Sequence, residues 1–191
     1  MQTSVLLLRG VNVGGHNRLP MKSLRDILVE LGAEDVATYI QSGNAVFHHP
    51  EFHAETLATD IRRAIKRAHG FEPATLVMSD QDLGLAIDAN PFPHATSDPA
   101  ALHLFFLSRP PAREQLASLQ SLAGSSESFE VLGTYLYLHA PRGIARSKLV
   151  KSIDSKLAAP VTARNWRTVT KLLHISRQIR DERRKSGRQP C

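Results

Sequence analysis

The sequence predicts an α+β fold made by tandem duplication of ferredoxin-like units, each β-α-β-β-α-β, with a C-terminal helix. Three observations carry that expectation. Strand-like and helix-like hydrophobic patterns follow the same order twice along the chain, a turn-rich stretch at residues 90–99 separates the two runs, and a further apolar stripe closes the second. The repeat is one of element order, not of residue identity.

In the first run, residues 3–8 are an apolar stretch that reads as a buried strand. A helix is expected from Pro20, a residue favoured at the first helical position, to Leu31. It places Met21, Leu24, Ile27, Leu28 and Leu31 on one face and closes at Gly32. Residues 36–41 and 45–48 form a hairpin about Ser42-Gly43-Asn44. The second helix, residues 54–69, carries Leu57, Ile61, Ile65 and Ala68 as its apolar stripe, leaves Arg62, Arg63, Lys66 and Arg67 wet, and stops at Gly70. Residues 74–78 supply the fourth strand.

Ser79-Asp80-Gln81-Asp82 then caps a short helix ending near Ala89, with Asp80 and Asp82 in the role of capping acids. The second run places strands at residues 102–107, 129–132, 135–139 and 161–162, and helices at 111–122 and 146–157. Asn165 caps a terminal helix that faces Trp166, Val169, Leu172 and Leu173 inward. The domain reading is therefore a first unit over 1–89, a second over 100–176, and a basic tail over 177–191.

A chain of 191 residues with 42% hydrophobic residues buries a sizeable core. No apolar run approaches the length of a membrane span, and the N-terminus lacks the basic and apolar regions of a signal peptide, so a cytoplasmic protein without a membrane partner is expected. The single cysteine, Cys191, excludes an internal disulfide. The net charge of +6 hides an asymmetry: residues 1–141 carry 10 Lys+Arg against 15 Asp+Glu, and residues 142–191 carry 14 against 3. A C-terminal basic surface suits a polyanion or a solvated tail.

The stretch L-R-G-V-N-V-G-G at residues 8–15 lies between the first strand and the first helix. Its glycines, Gly10, Gly14 and Gly15, let backbone N–H groups turn toward an anion, and the following helix adds its positive end. The alternative is a tight connection whose glycines serve only backbone geometry. Neither nucleotide-binding fingerprint is met, because the spacing is neither G-x-G-x-x-G nor G-x-x-x-x-G-K-S/T.

Together with T-Y-I-Q-S-G-N at residues 38–44, R-S-K-L at 146–149 and T-A-R-N-W-R-T-V at 162–169, this block resembles an uncharacterised bacterial protein family of unknown function. The resemblance runs from Leu6 to about Leu173, with the four blocks in order. It implies the tandem ferredoxin-like architecture and no assigned activity, cofactor or reaction.

The polar residues of the blocks, Arg9, Asn12, Gln41, Ser42, Asn44, Arg146, Ser147, Lys148, Arg164, Asn165 and Arg167, are mostly hydrogen-bond donors. None titrates near neutrality, so they describe binding better than acid–base work. The loops around Asn12 and around residues 142–148 are expected at comparable ends of their two sheets. The leading function is binding of nucleic acid or a nucleotide. The rivals are an enzyme acting on a phosphorylated or carboxylated small molecule through the same donors, and a structural or protein-interaction module.

Other constellations are weaker. His48, His49 and His53 lack a fourth ligand of familiar spacing, and no metal or cofactor is expected. Ser147 reads as a helix N-cap rather than a nucleophile. Tyr135 and Tyr137 share a sheet face, with Phe105 as an expected neighbour, and suit either base stacking or packing between layers.

Overall fold

The structure, a computed structural model, describes residues 1–51, 53–159 and 161–187. Its first strand, β1 (Gln2–Arg9), is buried over six consecutive residues, as a strand paired on both edges and covered on both faces must be. α1 (Met21–Glu30), β2 (Glu34–Tyr39), β3 (Asn44–His49), α2 (Ala54–His69) and β4 (Ala74–Ser79) follow. The four strands form an antiparallel sheet in the order β2-β3-β1-β4. Alternation sorts the side chains: Leu6, Leu8, Ala45, Phe47 and Val77 meet Leu24, Ile61 and Ile65 of the two helices. Val5, Leu7, Val46 and His48 point to the opposite face and are also buried.

α3 (Asp80–Asp88) and a 3-10 turn at Pro93–Ser97 lead to the second run: β5 (Leu102–Phe106), α4 (Arg113–Gln120), β6 (Ser128–Leu132), β7 (Tyr135–His139), α5 (Lys148–Leu157), β8 (Thr162–Asn165) and the long α6 (Trp166–Lys185). The second sheet has the order β6-β7-β5-β8, the same topology as the first. Its core sets Phe105, Leu136 and Leu138 against Leu119, Leu149 and Ile153. The duplication and the ferredoxin-like strand order are therefore present in both runs.

The units divide elsewhere than the linker composition suggests. One comprises Met1–Leu85 with the described chain from Lys171 onward, and the other Ala86–Thr170. The expected tail from Arg177 is helical as far as Lys185, with Ile179 buried and two of its arginines paired with carboxylates. In the first unit Arg180 donates to Asp80, a carboxylate buried at the start of α3, at 3.0 Å. Arg183 donates to Glu34 and to Asp35 of β2, both at 2.8 Å. Asp35 in turn meets the imidazole of His48, 2% exposed, at 3.1 Å. Asp80 is thus an ion-pair partner and not a cap; Ser79 caps α3, its hydroxyl accepting from the Asp82 N–H at 3.0 Å and donating to the Asp82 carboxylate at 2.6 Å.

Register also corrects the aromatic face. Tyr135 pairs with Phe106 and Tyr137 with Leu104, whereas Phe105 pairs with Leu136 and faces the helices. Tyr137 is fully buried, its hydroxyl donating to the Ala86 carbonyl at 2.6 Å, and burial pushes that phenol up to about 12. A ring so placed packs; it offers no face to a base.

Gly43 sits in the β2–β3 connection with φ +72°, and a Cβ there would lie 2.6 Å from Leu8 Cβ and 2.8 Å from Val11 Cγ2. Its carbonyl accepts from the Leu8 N–H at 2.8 Å, so the turn cannot back away without losing that bond. Gly43→Ala is expected to destabilise the protein by about 2 kcal/mol or more through overlap and backbone strain combined, read as a lower urea midpoint.

A second expectation concerns pH. Burial pushes the His48 imidazole below its ordinary value, against the pull of Asp35. Burial raises the Asp35 carboxyl, but hydrogen bonds from Arg183 and His48 outweigh it and hold the group below the usual range. An unfolded chain, with a histidine value of about 6.5, binds the proton more readily than the folded one, so stability falls as pH drops from about 6.5 toward the folded value. His48→Gln should flatten this loss in denaturation midpoints measured from about pH 7 to about pH 5. His103, also pushed down by burial, retains its own share, so the slope shrinks without vanishing.

Candidate functional site

The first block folds as a small β-ribbon. Gly14 and Gly15 have φ +59° and +80°, the two consecutive positive values that a type I′ turn requires. Around them the His16 N–H donates to the Val13 carbonyl at 3.0 Å and the Asn12 N–H to the Asn17 carbonyl at 3.1 Å. Both residues at the base adopt left-handed backbone, Asn12 at φ 55° and Asn17 at φ 51°, which asparagine tolerates better than other residues. Asn17 Nδ2 donates to the Gly10 carbonyl at 2.9 Å. The glycines thus serve the ribbon's turn, and the anion cradle expected from them is replaced by a projecting element.

Asn12 ties this ribbon down. Its Nδ2 donates to the Leu19 carbonyl at 2.9 Å and to the Gln41 carbonyl at 2.7 Å, and its Oδ1 accepts from the Leu19 N–H at 2.9 Å. The carboxamide is committed to the fold, not held out to a ligand. In the second block Asn44 is buried, its Nδ2 donating to the Tyr39 carbonyl and the Ser42 hydroxyl. Gln41 contributes its carbonyl to Asn12, and the preceding Ile40 holds φ +50°, an outlier for a β-branched residue. Arg9 is exposed at the end of β1, opposite Ala74.

The remaining cations lie in the second unit. Between the α4–β6 and β7–α5 connections is a cavity of about 610 Å³ whose wall includes Arg142, Arg146, Lys148, Ser147, Gly124 and Glu127. The sequence folds this way because Ser147 caps α5, accepting from the Val150 N–H at 3.1 Å, so the three cations cluster at the positive end of the helix. The Lys148 and Leu149 N–H groups make no hydrogen bond to the described residues. Nor do the side chains of Arg142, Arg146 and Lys148, all three exposed. Glu127 accepts from the Gly124 N–H at 2.7 Å and so braces the wall.

The fourth block does not line that cavity. Arg164 is half-buried, donating to the Ala163 carbonyl at 2.8 Å, and burial pushes its guanidinium down to about 10. Asn165 caps α6 through the Thr168 N–H at 2.9 Å, and Arg167 is exposed on the first turn of that helix. Because Asn165 pairs with His103 and Leu102 with His139, the third and fourth blocks emerge at one end of the second sheet.

Register also shows why the Asn12 loop and the residue 142–148 loop are not at comparable ends. β1 and β3 are antiparallel, with Leu7 opposite Asn44 and Gln2 opposite His49, as are β5 and β7. The Asn12 loop follows the first strand of its sheet, and the 142–148 loop follows the third strand of its own. They therefore leave from opposite ends of the shared topology. Within the first unit, however, two blocks are joined by the Asn12 carboxamide.

Arg142 lies outside the R-S-K-L block but within the loop expected over residues 142–148, and the fold of that loop brings it to the same wall. The histidines serve local structure, with His48 on Asp35 and His49 on the carbonyls of Leu31 and Glu51. Among the described residues no three metal-ligating side chains gather, and no helix is long and apolar enough to cross a membrane.

A search of curated proteins found no match. Among solved structures the chain is similar to a conserved bacterial protein, SP0830 from Streptococcus pneumoniae, with a TM-score of 0.70 and 24% sequence identity over 92% of this chain and 98% of that one. At that identity the likeness establishes the shared fold. Residues 1–137, which contain the ribbon and the hairpin tied to it, match a family described as protein of unknown function, and the chain belongs to that family, DUF1697.

Proposed function

We propose that the chain is a binding protein for a small phosphate-bearing anion of nucleotide size, held in the second unit. The observation that carries this reading is the cavity of about 610 Å³ walled by Arg142, Arg146 and Lys148, three cations without a partner among the described residues, at the start of α5. The volume falls within the range of small-ligand pockets. Two guanidinium forks and an ammonium suit phosphate oxygens, and the unbonded Lys148 and Leu149 N–H groups add the helix end that favours them. Glu127 puts one carboxylate on the same wall, its Oε2 accepting from the Gly124 N–H at 2.7 Å, and the three cations outnumber it. The basic residues of α6 give less support to a polyanion, since Arg180 and Arg183 are spent on carboxylates of the first unit.

Calorimetric titration with ATP and with inorganic phosphate tests this reading. Saturable binding is expected, and Arg142→Ala and Arg146→Ala should each weaken it about tenfold or more, the worth of a charge-assisted hydrogen bond. Arg9→Ala should leave it unchanged. No binding of either anion, or binding indifferent to both cavity substitutions, would overturn the assignment.

A further inference from the structure

The first unit presents a second, independent feature. Its ribbon at residues 12–17 projects with Val13 65% exposed, yet its base is locked by the carboxamides of Asn12 and Asn17. The segment from β1 through the start of α1 carries Arg9, His16 and Arg18 and no carboxylate before Asp26. Asp26 is paired with Lys22 at 2.9 Å.

Topology brings more positive charge to the same end of this unit. α2 runs back toward it, as shown by the Ser23 hydroxyl at the start of α1 meeting His69 at the end of α2, at 2.7 Å. On that half of α2, Arg63 and Arg67 are exposed one turn apart, on the same stripe. The nearby carboxylate, Glu72, is neutralised by Lys66 at 3.0 Å. The acids Glu34 and Asp35 lie at the opposite end of the sheet and are bound by Arg183. What results is a basic end from which a short turn projects, closed by the single Val13–His16 bridge and tied at its base by Asn12 and Asn17, with an apolar side chain near its tip.

We propose that this end of the first unit binds double-stranded nucleic acid, the ribbon entering a groove and Arg18, Arg63 and Arg67 meeting phosphates. A two-stranded β-ribbon fits the major groove, where a valine side chain meets thymine methyl groups, and cations beside the ribbon neutralise the flanking backbone. An ordered base matters here, because a ribbon already fixed before binding loses little conformational freedom on entering the groove. The site is separate from the cavity of the second unit and does not depend on it.

The test is fluorescence anisotropy of a labelled, mixed-sequence DNA duplex titrated with the full chain at several salt concentrations. Binding at low salt is expected, with a steep inverse dependence on salt. The double substitution Arg18→Ala with Arg67→Ala should lower the log–log salt slope by roughly 1.8, two phosphates at about 0.9 each. Val13→Ser should weaken binding severalfold while leaving the slope unchanged. All of these side chains are exposed, and Arg142→Ala serves as the control that leaves duplex binding intact. Absence of duplex binding at low salt would overturn the proposal. So would binding that survives all three ribbon and α2 substitutions, or binding lost with Arg142→Ala instead, which would place the polyanion in the cavity.

Discussion

The carboxamide of Asn12 is the tie on which the N-terminal end of the molecule depends. With three hydrogen bonds it joins the base of the ribbon to the chain leading into α1 and to the hairpin between β2 and β3. Asn12 can do this because asparagine accepts a left-handed backbone while presenting a donor and an acceptor in one plane. The neighbouring conformations follow from that tie. Gly43 must approach Leu8 and Val11 closely, Ile40 is held in a strained conformation just before the carbonyl that Asn12 uses, and Val11 and Leu19 are buried beneath. Strain of this kind costs of order 1–3 kcal/mol per residue and persists only where its surroundings over-determine it. Two sequence blocks some thirty residues apart thus behave as one structural element.

The second unit repeats the topology and uses it differently. Its connection after β5 lacks an L-R-G-V-N-V-G-G block, while the connection after β7 gathers cations around the start of α5. A duplicated scaffold therefore carries a locked ribbon on the loop after the first strand of one unit and an open basic cavity on the loop after the third strand of the other. Antiparallel pairing of first and third strands puts these loops at opposite ends of the shared architecture. Fold alone does not fix function, and here the same fold hosts two unlike arrangements of side chains.

Much of the architecture was legible because periodicity and punctuation are local signals. α2 occupies residues 54–69 and closes on Gly70, and Ser147 and Asn165 cap the helices that their positions suggest. What escaped depends on partners distant in sequence. The C-terminal charge run looked like a tail because Asp80, Glu34 and Asp35, which engage Arg180 and Arg183, lie about a hundred residues or more away along the chain. Phe105 faces away from the tyrosines because a register shift of one residue, invisible within a single strand, exchanges the two faces. The glycine block offers N–H groups in sequence, but consecutive glycines flanked by Val13 and His16 are also the signature of a type I′ turn. Arg164 is half-buried although the sequence marks it only as a donor, since burial of an arginine is set by tertiary contacts and not by its neighbours in sequence.

Asn12 makes ribbon and hairpin one cooperative element. Amide hydrogen exchange on Asn12→Asp measures it most directly, because the substitution keeps the oxygen that accepts from Leu19 and removes the donor that holds Leu19 and Gln41. Faster exchange is expected at residues 8–19 and at residues 39–44 together, with β7 and α5 of the second unit unchanged. Faster exchange in the ribbon alone, with the hairpin as protected as before, would contradict it.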